Sequence, residues 1–298
     1  MFRFLCLLLL ALPLCAETHL VLLGTGNPRQ LPERSGPASA VVYNNFAYLF
    51  DAGPGVVRRA AAAATQRNIP ALAPAQLRRL FLTHLHSDHT LGLPDLIFSS
   101  WTVGRREPLD IYGPPGTRAM VEHIEAAWKE DIDIRTHGLE HANDAGYHAI
   151  VHEIAPGYVY REGLVTITAV PVHHGSWAHA YGYRIETPDR VIVISGDTSP
   201  VASLSEACNG CDILLHEVYP LDGIDQDAHR EDWPKYMKQF HTSTEELAEI
   251  ATKAHPKLLV LYHVSITRPG PQDPAVVLDE IRKTYKGAVV MGNDLDVY

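Results

Sequence analysis

Residues Thr83-His84-Leu85-His86-Ser87-Asp88-His89 place three imidazoles and one carboxylate within six positions, directly after a short β-type run over 79–82. A helix would scatter these side chains around its circumference. A tight loop at a strand end converges them. His84 and His86 are two apart and share one side of an extended segment, while Asp88 and His89 turn toward a second point. Neutral imidazoles with carboxylates favour zinc, with iron or manganese as alternatives. The pattern suits two adjacent metals, and two metals need more ligands than one loop supplies. Three further places qualify, each just past the end of an apolar strand, where sites in open sheets collect. They are His173-His174-Gly175, Gly196-Asp197-Thr198 and His263. Two metals about 3.5–4 Å apart can hold a hydroxide, lower its pKa and clamp the charge of an in-line displacement at carbonyl, phosphorus or sulfur.

The elements that position these residues are legible from periodicity and punctuation. Strands are expected over 20–23, 39–43, 47–50, 80–82, 109–112, 164–170, 181–186, 191–194, 213–215 and 258–262. Helical patterns cover 56–65, 117–129, 243–254 and 275–285, with a capping signal at Thr242 or Ser243 ahead of Glu245 and Glu246. Strand-helix alternation with interspersed hairpins predicts an α/β domain of two mixed β-sheets flanked by helices, in one unit over 17–298. The stretch 131–159 carries His137, His141, His148 and His152 at irregular spacing and reads as a polar surface region, not a third metal site.

The 298 residues are 46% hydrophobic and 20% charged, a globular composition. Against 25 Lys+Arg stand 35 Asp+Glu, and a net charge of −10 disfavours a general nucleic-acid binder. Residues 1–16, with Arg3, an apolar run and a small residue before the cut, read as a secretory signal peptide too short to anchor stably in a bilayer. A periplasmic or secreted location follows. Four cysteines exclude a disulfide scaffold; Cys208 and Cys211, left after the leader, are equally consistent with a disulfide and with two small residues ending a helix.

The run HLHSDH resembles the metal motif of the metallo-β-lactamase superfamily. The likeness extends over the chain, through LLGTGNP, FDAGPG, LDIYGPPG, VHHGSWAHAYGYRI, ISGDTSP, LLHEVY, HTSTEELAEIA and LYHVS. Its nearest shape is the ribonuclease Z branch, which includes tRNA 3′-processing endonucleases, related phosphodiesterases and arylsulfatase-like hydrolases. The resemblance implies the αββα sandwich and two zinc ions per chain. His84, His86 and His174 would hold the first, Asp88, His89 and His263 the second, and Asp197 would bridge them. His174 is chosen over His173 because it directly precedes a glycine. His241, in FHTS, stands where this branch carries a proton-donor histidine, and Glu217, in LLHE, matches the carboxylate that orients it. Such a pair would keep the imidazole protonated near neutral pH. Asp88 would double as proton acceptor from the attacking water. A homodimer is also implied.

One departure bears on substrate. Members that process tRNA carry a basic, Gly-rich arm between the Gly-Tyr strand and the aspartate ligand. Here Gly182-Tyr183-Arg184-Ile185 passes through residues 186–190 straight into the next strand. Together with the charge and the leader, this favours an exported hydrolase of small phosphodiesters over tRNA processing, with no nucleic-acid partner. Sulfate esters, lactones and β-lactams are the other ester or amide candidates. The segment 222–239, with Trp233 and Tyr236, runs into His241 and is expected at the mouth of the site.

Overall fold

The computed structural model describes residues 17–222, 224, 232–265 and 273–298. The expected leader at 1–16 lies outside them. Among the described residues, a six-stranded sheet runs in the order β1 to β6 and a seven-stranded sheet in the order β13 to β7. The first comprises β1 His19–Gly24, β2 Ala38–Tyr43, β3 Phe46–Phe50, β4 Arg79–Phe81, β5 Leu109–Gly113 and β6 Ala149–Glu153. The second comprises β7 Val159–Glu162, β8 Val165–Pro171, β9 Tyr181–Glu186, β10 Val191–Ile194, β11 Ile213–Val218, β12 Leu258–Val264 and β13 Val289–Met291.

Period-two alternation explains the layers, because successive side chains of a strand point to opposite faces. Leu20, Leu22, Phe50 and Phe81 of the first sheet meet Tyr183, Ile185, Ile194 and Leu215 of the second in a shared apolar layer. The next residues along, such as Val21, Leu49 and Leu80, face outward under α1 (Val56–Gln66) and α3 (Leu93–Thr102). On the other side Leu214, Leu259 and Leu261 lie under α6 (Ala202–Cys208), α8 (Thr244–Ala254) and α9 (Pro274–Arg282). The expected helix–sheet–sheet–helix sandwich is therefore the observed one.

Both sheets are mixed in a way that serves one edge of the sandwich. β3 to β6 are parallel, and so are β10 to β13, so the C-terminal ends of β4, β10, β11 and β12 can carry loops to the same rim. The helical pattern at 117–129 is two helices, α4 (Thr117–Ala127) and α5 (Lys129–His137), broken at Trp128. α5 buries no residue, so packing does not oppose the break. Cys208 and Cys211 are disulfide-bonded at the junction of α6 and β11. No helix among the described residues is long and apolar enough to cross a membrane.

Candidate metal centre

The loop after β4 turns at Thr83 and ends in the short helix α2 (Ser87–Thr90), which carries Asp88 and His89, both buried. Its geometry is held by one buried carboxylate. Asp51, just past β3, accepts from the backbone N–H of Thr83 (2.8 Å), from its hydroxyl, and from Nδ1 of His89 (2.8 Å). Asp51 takes a left-handed backbone conformation, φ 61°, a strained state for this residue type of the kind that collects at functional sites. His263 does the same with φ 43°, at a bulge where the β11–β12 register slips, which aims its ring off the strand and into the cluster. Asp197 follows β10 through Gly196, φ 62°, where a Cβ would fall 2.7 Å from the Tyr181 carbonyl.

These elements bring eight side chains together. His84, His86, His174 and Asp197 form one group of mutually close donor atoms; Asp88, His89 and His263 form a second; Asp197, His241 and His263 form a third. Asp197 belongs to two of the groups. Its Oδ2 lies 3.4 Å from Nε2 of His89, 3.4 Å from Nε2 of His263 and 4.0 Å from Nε2 of His174. Nε2 of His263 also lies 3.2 Å from Oδ2 of Asp88. His173 points outward, exposed, with Nδ1 near the Ser199 hydroxyl, so the choice of His174 agrees with the geometry. His137, His141, His148 and His152 belong to none of the groups; His152 stacks on Tyr112 and pairs with Asp110.

The donor set fits metal ions on its own hydrogen bonding. His174 Nδ1 donates to the Phe240 carbonyl at 2.7 Å, leaving a lone pair on Nε2. The Thr83 hydroxyl donates to Asp51 and accepts from Nδ1 of His84, leaving a lone pair on that Nε2 also. Both lone pairs point at Nδ1 of His86, each at 3.0 Å. One proton cannot satisfy both; a cation between the three nitrogens does. His89 Nε2, Asp197 Oδ1 and His263 Nδ1 are buried with no hydrogen-bond partner among the described residues. Burial holds His84 well below the ordinary histidine pKa and lowers His174 to about 3, the neutral form that ligates. His89 and His263 are the exceptions: burial opposes their charge, but Asp197 and Asp51 raise His89 well above the usual value, and Asp197 and Asp88 raise His263.

Beside this cluster, His241 Nδ1 lies 3.2 Å from Oε2 of Glu217 and 4.0 Å from Oδ2 of Asp197. The other Glu217 oxygen accepts from the Thr242 backbone N–H at 2.8 Å. The helix after the pair is fixed by a capping box, in which Ser243 and Glu246 satisfy each other's backbone N–H. The juxtaposition is as expected. Burial pulls His241 down to about 4, and burial together with Asp197 pushes Glu217 well above the carboxylate range.

The fold and site place the chain among known proteins. A family model described as "Beta-lactamase superfamily domain" matches residues 47–264. The metallo-beta-lactamase fold protein YhfI from Bacillus subtilis superposes with a TM-score of 0.71 over 95% of this chain and 99% of its own, at 17% identity. The short form of human tRNase Z superposes with a TM-score of 0.65 over 94% and 98%, at 22% identity. In sequence, ribonuclease Z of Mycobacterium bovis (strain BCG / Pasteur 1173P2) is 35% identical over 282 residues, covering 93% of this chain and 96% of the relative. The chain belongs to the metallo-β-lactamase superfamily of hydrolases and, within it, to the ribonuclease Z family.

Residues that the sequence reading underweighted are those that hold the ligands. Asp51 was legible only as a turn residue with a supporting role. Trp177, whose indole nitrogen lies 2.8 Å from Nε2 of His86, carried no signal beyond standing three residues after His174.

Proposed function

We propose that the chain is a metal-dependent phosphodiester hydrolase of the ribonuclease Z kind. The observation that carries this is the Glu217–His241 pair, 3.2 Å apart and adjoining the carboxylate shared by the two ligand groups. A carbonyl-directed hydrolase has less need of a buried proton store beside its metals, whereas an alkoxide leaving from phosphorus must be protonated or held. His84, His86 and His174 would hold one ion, Asp88, His89 and His263 a second, with Asp197 between them. Two divalent ions bound there supply Lewis-acid stabilisation of a phosphoryl group and a lowered pKa for water. Asp88, partly open to solvent, accepts a proton from the attacking water. His241 delivers a proton from Nε2 to the departing oxygen, and Glu217 fixes the ring's orientation through Nδ1.

The mycobacterial relative's name favours RNA as substrate, which weighs against the expectation of no nucleic-acid partner. A second reading, small phosphodiesters met after export, is favoured by the link between β9 and β10. It is the tight turn 187–190, closed by Thr187 N–H to the Arg190 carbonyl at 2.9 Å, with no room for a substrate-gripping arm. The net charge of −10 points the same way.

The deciding experiment compares zinc- or manganese-loaded protein on an RNA bearing a 3′ trailer and on bis(p-nitrophenyl) phosphate, with Asp197→Ala and His241→Ala as controls. Trimming of the RNA, lost in both variants, supports the ribonuclease reading. Turnover of the small diester alone supports the second. Dominant turnover of a sulfate ester, lactone or cephalosporin overturns both.

A further inference from the structure

Helix α7 (Trp233–Phe240) ends where the metal cluster begins. A helix leaves its last four C=O groups without intrahelical partners of the regular kind. Two of these carbonyls are taken by the loop that carries His174. The Phe240 carbonyl accepts from Nδ1 of His174 at 2.7 Å, and the Gln239 carbonyl accepts from the Gly175 backbone N–H at 3.0 Å. The negative end of the helix dipole thus lies behind the imidazole whose other nitrogen faces His86. The Phe240 ring closes the joint. It meets the His174 ring at 5.1 Å with the planes 84° apart, and it covers Gly175 so closely that a Cβ there would fall 2.2 Å from it.

The residues that follow hold the other half of the site. One peptide bond beyond the Phe240 carbonyl stands His241, with Nδ1 3.2 Å from Glu217. The next residue, Thr242, donates its N–H to Glu217 at 2.8 Å and its hydroxyl to the Thr198 carbonyl at 2.7 Å, beside Asp197. Residues 240–242 therefore touch in turn a candidate ligand of the first ion, the carboxylate behind the proton donor, and the loop of the shared aspartate. Met237, the one wholly buried side chain of α7, seats the helix, and its carbonyl accepts from the His241 N–H at 2.8 Å. Asp88, His89 and His263 are positioned by other means, His89 by Asp51 and His263 by the bulge in β12.

We propose that Phe240 is a positioning residue that ties His174 to His241, so that α7 sets the hold on the first ion and the aim of the proton donor together. A shift of the helix withdraws the carbonyl from His174 and turns His241 against Glu217 in one movement. The part assigned to His241 rests on the phosphodiesterase reading above.

The test perturbs α7 without altering a ligand. Met237→Ala opens a cavity beneath the helix, Met237→Leu refills it, and Phe240→Ala removes the ring from the joint. Leu72→Ala opens a cavity in the layer over the first sheet and controls for lost stability. Zinc affinity is read by stepwise chelator competition. Met237→Ala and Phe240→Ala should weaken one ion about 10-fold and leave the other within about twofold, with Met237→Leu and Leu72→Ala close to wild type. With zinc saturating, the same two variants should lose about 10-fold in kcat on glycerophosphoglycerol, whose alkoxide needs a proton, and at most about twofold on bis(p-nitrophenyl) phosphate, whose leaving group does not. Unchanged zinc affinity, or equal weakening of both ions, overturns the proposal. So does one weakened ion with equal kcat losses on the two diesters, because the tie to His241 is then missing. If the wild-type protein hydrolyses neither diester, the phosphodiesterase reading fails while the zinc measurement still decides whether α7 sets the first ion.

Discussion

Replacing Asp51 by Asn should weaken metal binding without unfolding the protein, and the size of the effect can be worked from its contacts. The carboxylate accepts three hydrogen bonds, from Thr83 N–H, the Thr83 hydroxyl and His89 Nδ1. Asn keeps the shape and one acceptor. Its amide nitrogen, however, must face either the Thr83 hydroxyl or the His89 ring. Facing His89, it turns Nδ1 into an acceptor and moves the proton to Nε2, the atom 3.4 Å from Asp197 that must offer a lone pair. Loss of the carboxylate behind a ligating histidine costs roughly 10- to 100-fold in metal affinity, or about 1.4–2.7 kcal/mol. Chelator competition, with metal counted per chain, measures it. Asp110→Asn is the matched control, because Asp110 pairs with His152 at 3.1 Å outside the three ligand groups and should leave affinity unchanged. Unaltered affinity in Asp51→Asn would refute the claim that this carboxylate sets the tautomer of His89.

Three further outcomes follow from features outside the Glu217–His241 pair. Arg105 is wholly buried and donates to the carbonyls of Leu77, Leu96, Ile97 and Gly146, with burial pulling its pKa down to about 10. Arg105→Met should therefore cost roughly 3–5 kcal/mol in urea unfolding, since it strands those carbonyls, and a loss under about 1 kcal/mol would contradict that account. Cys208→Ser with Cys211→Ser removes a disulfide of sequence separation 3, for which loop entropy predicts a loss of about 2 kcal/mol; reductant should lower the Tm of the wild type but not of the double variant. His216, fully buried, has its pKa lowered from 6.5 to about 4 by burial. It is neutral in the folded chain while the unfolded chain takes up a proton, so its contribution is present above about pH 6.5 and lost as pH falls toward 4. The contribution is about 3 kcal/mol, and His216→Gln should unfold less steeply with acid than the wild type over that window.

The sequence exposed the candidate ligands because each follows an apolar strand, and strand ends are where periodicity stops. His84, His86, Asp88, His89, His174, Asp197 and His263 all sit at such ends, and the structure gathers all seven. The central strands were legible for the same reason, with β10 at Val191–Ile194 and β9 at Tyr181–Glu186 falling on the expected residues. Several elements that escaped have one-sided or slight burial, although α3, buried along most of its length, escaped as well. β6 (Ala-Ile-Val-His-Glu) and β7 (Val-Tyr-Arg-Glu) are edge strands with mostly half-buried residues, so they read as part of a polar stretch. α7 was hidden because its aromatic face turns toward the site and not into the core. The strand at 213–215 continues to Val218, because His216 and Glu217 are polar yet fully buried, which no periodicity rule anticipates.

The spread of the ligands along the chain has a consequence for when the centre can exist. His263 meets Asp88 across 175 positions, with β12 laid down only after nearly all of the 298 residues have been made. A growing chain emerges at about 5–20 residues per second, so the first histidines wait on the order of ten seconds or more for their last partner. A nascent fragment holding His84 to His89 alone has neither Asp197 nor His263 and offers no closed site. Acquisition of metal is thereby deferred until synthesis is nearly finished, and the centre acts as a record that the chain was made through to its final strands.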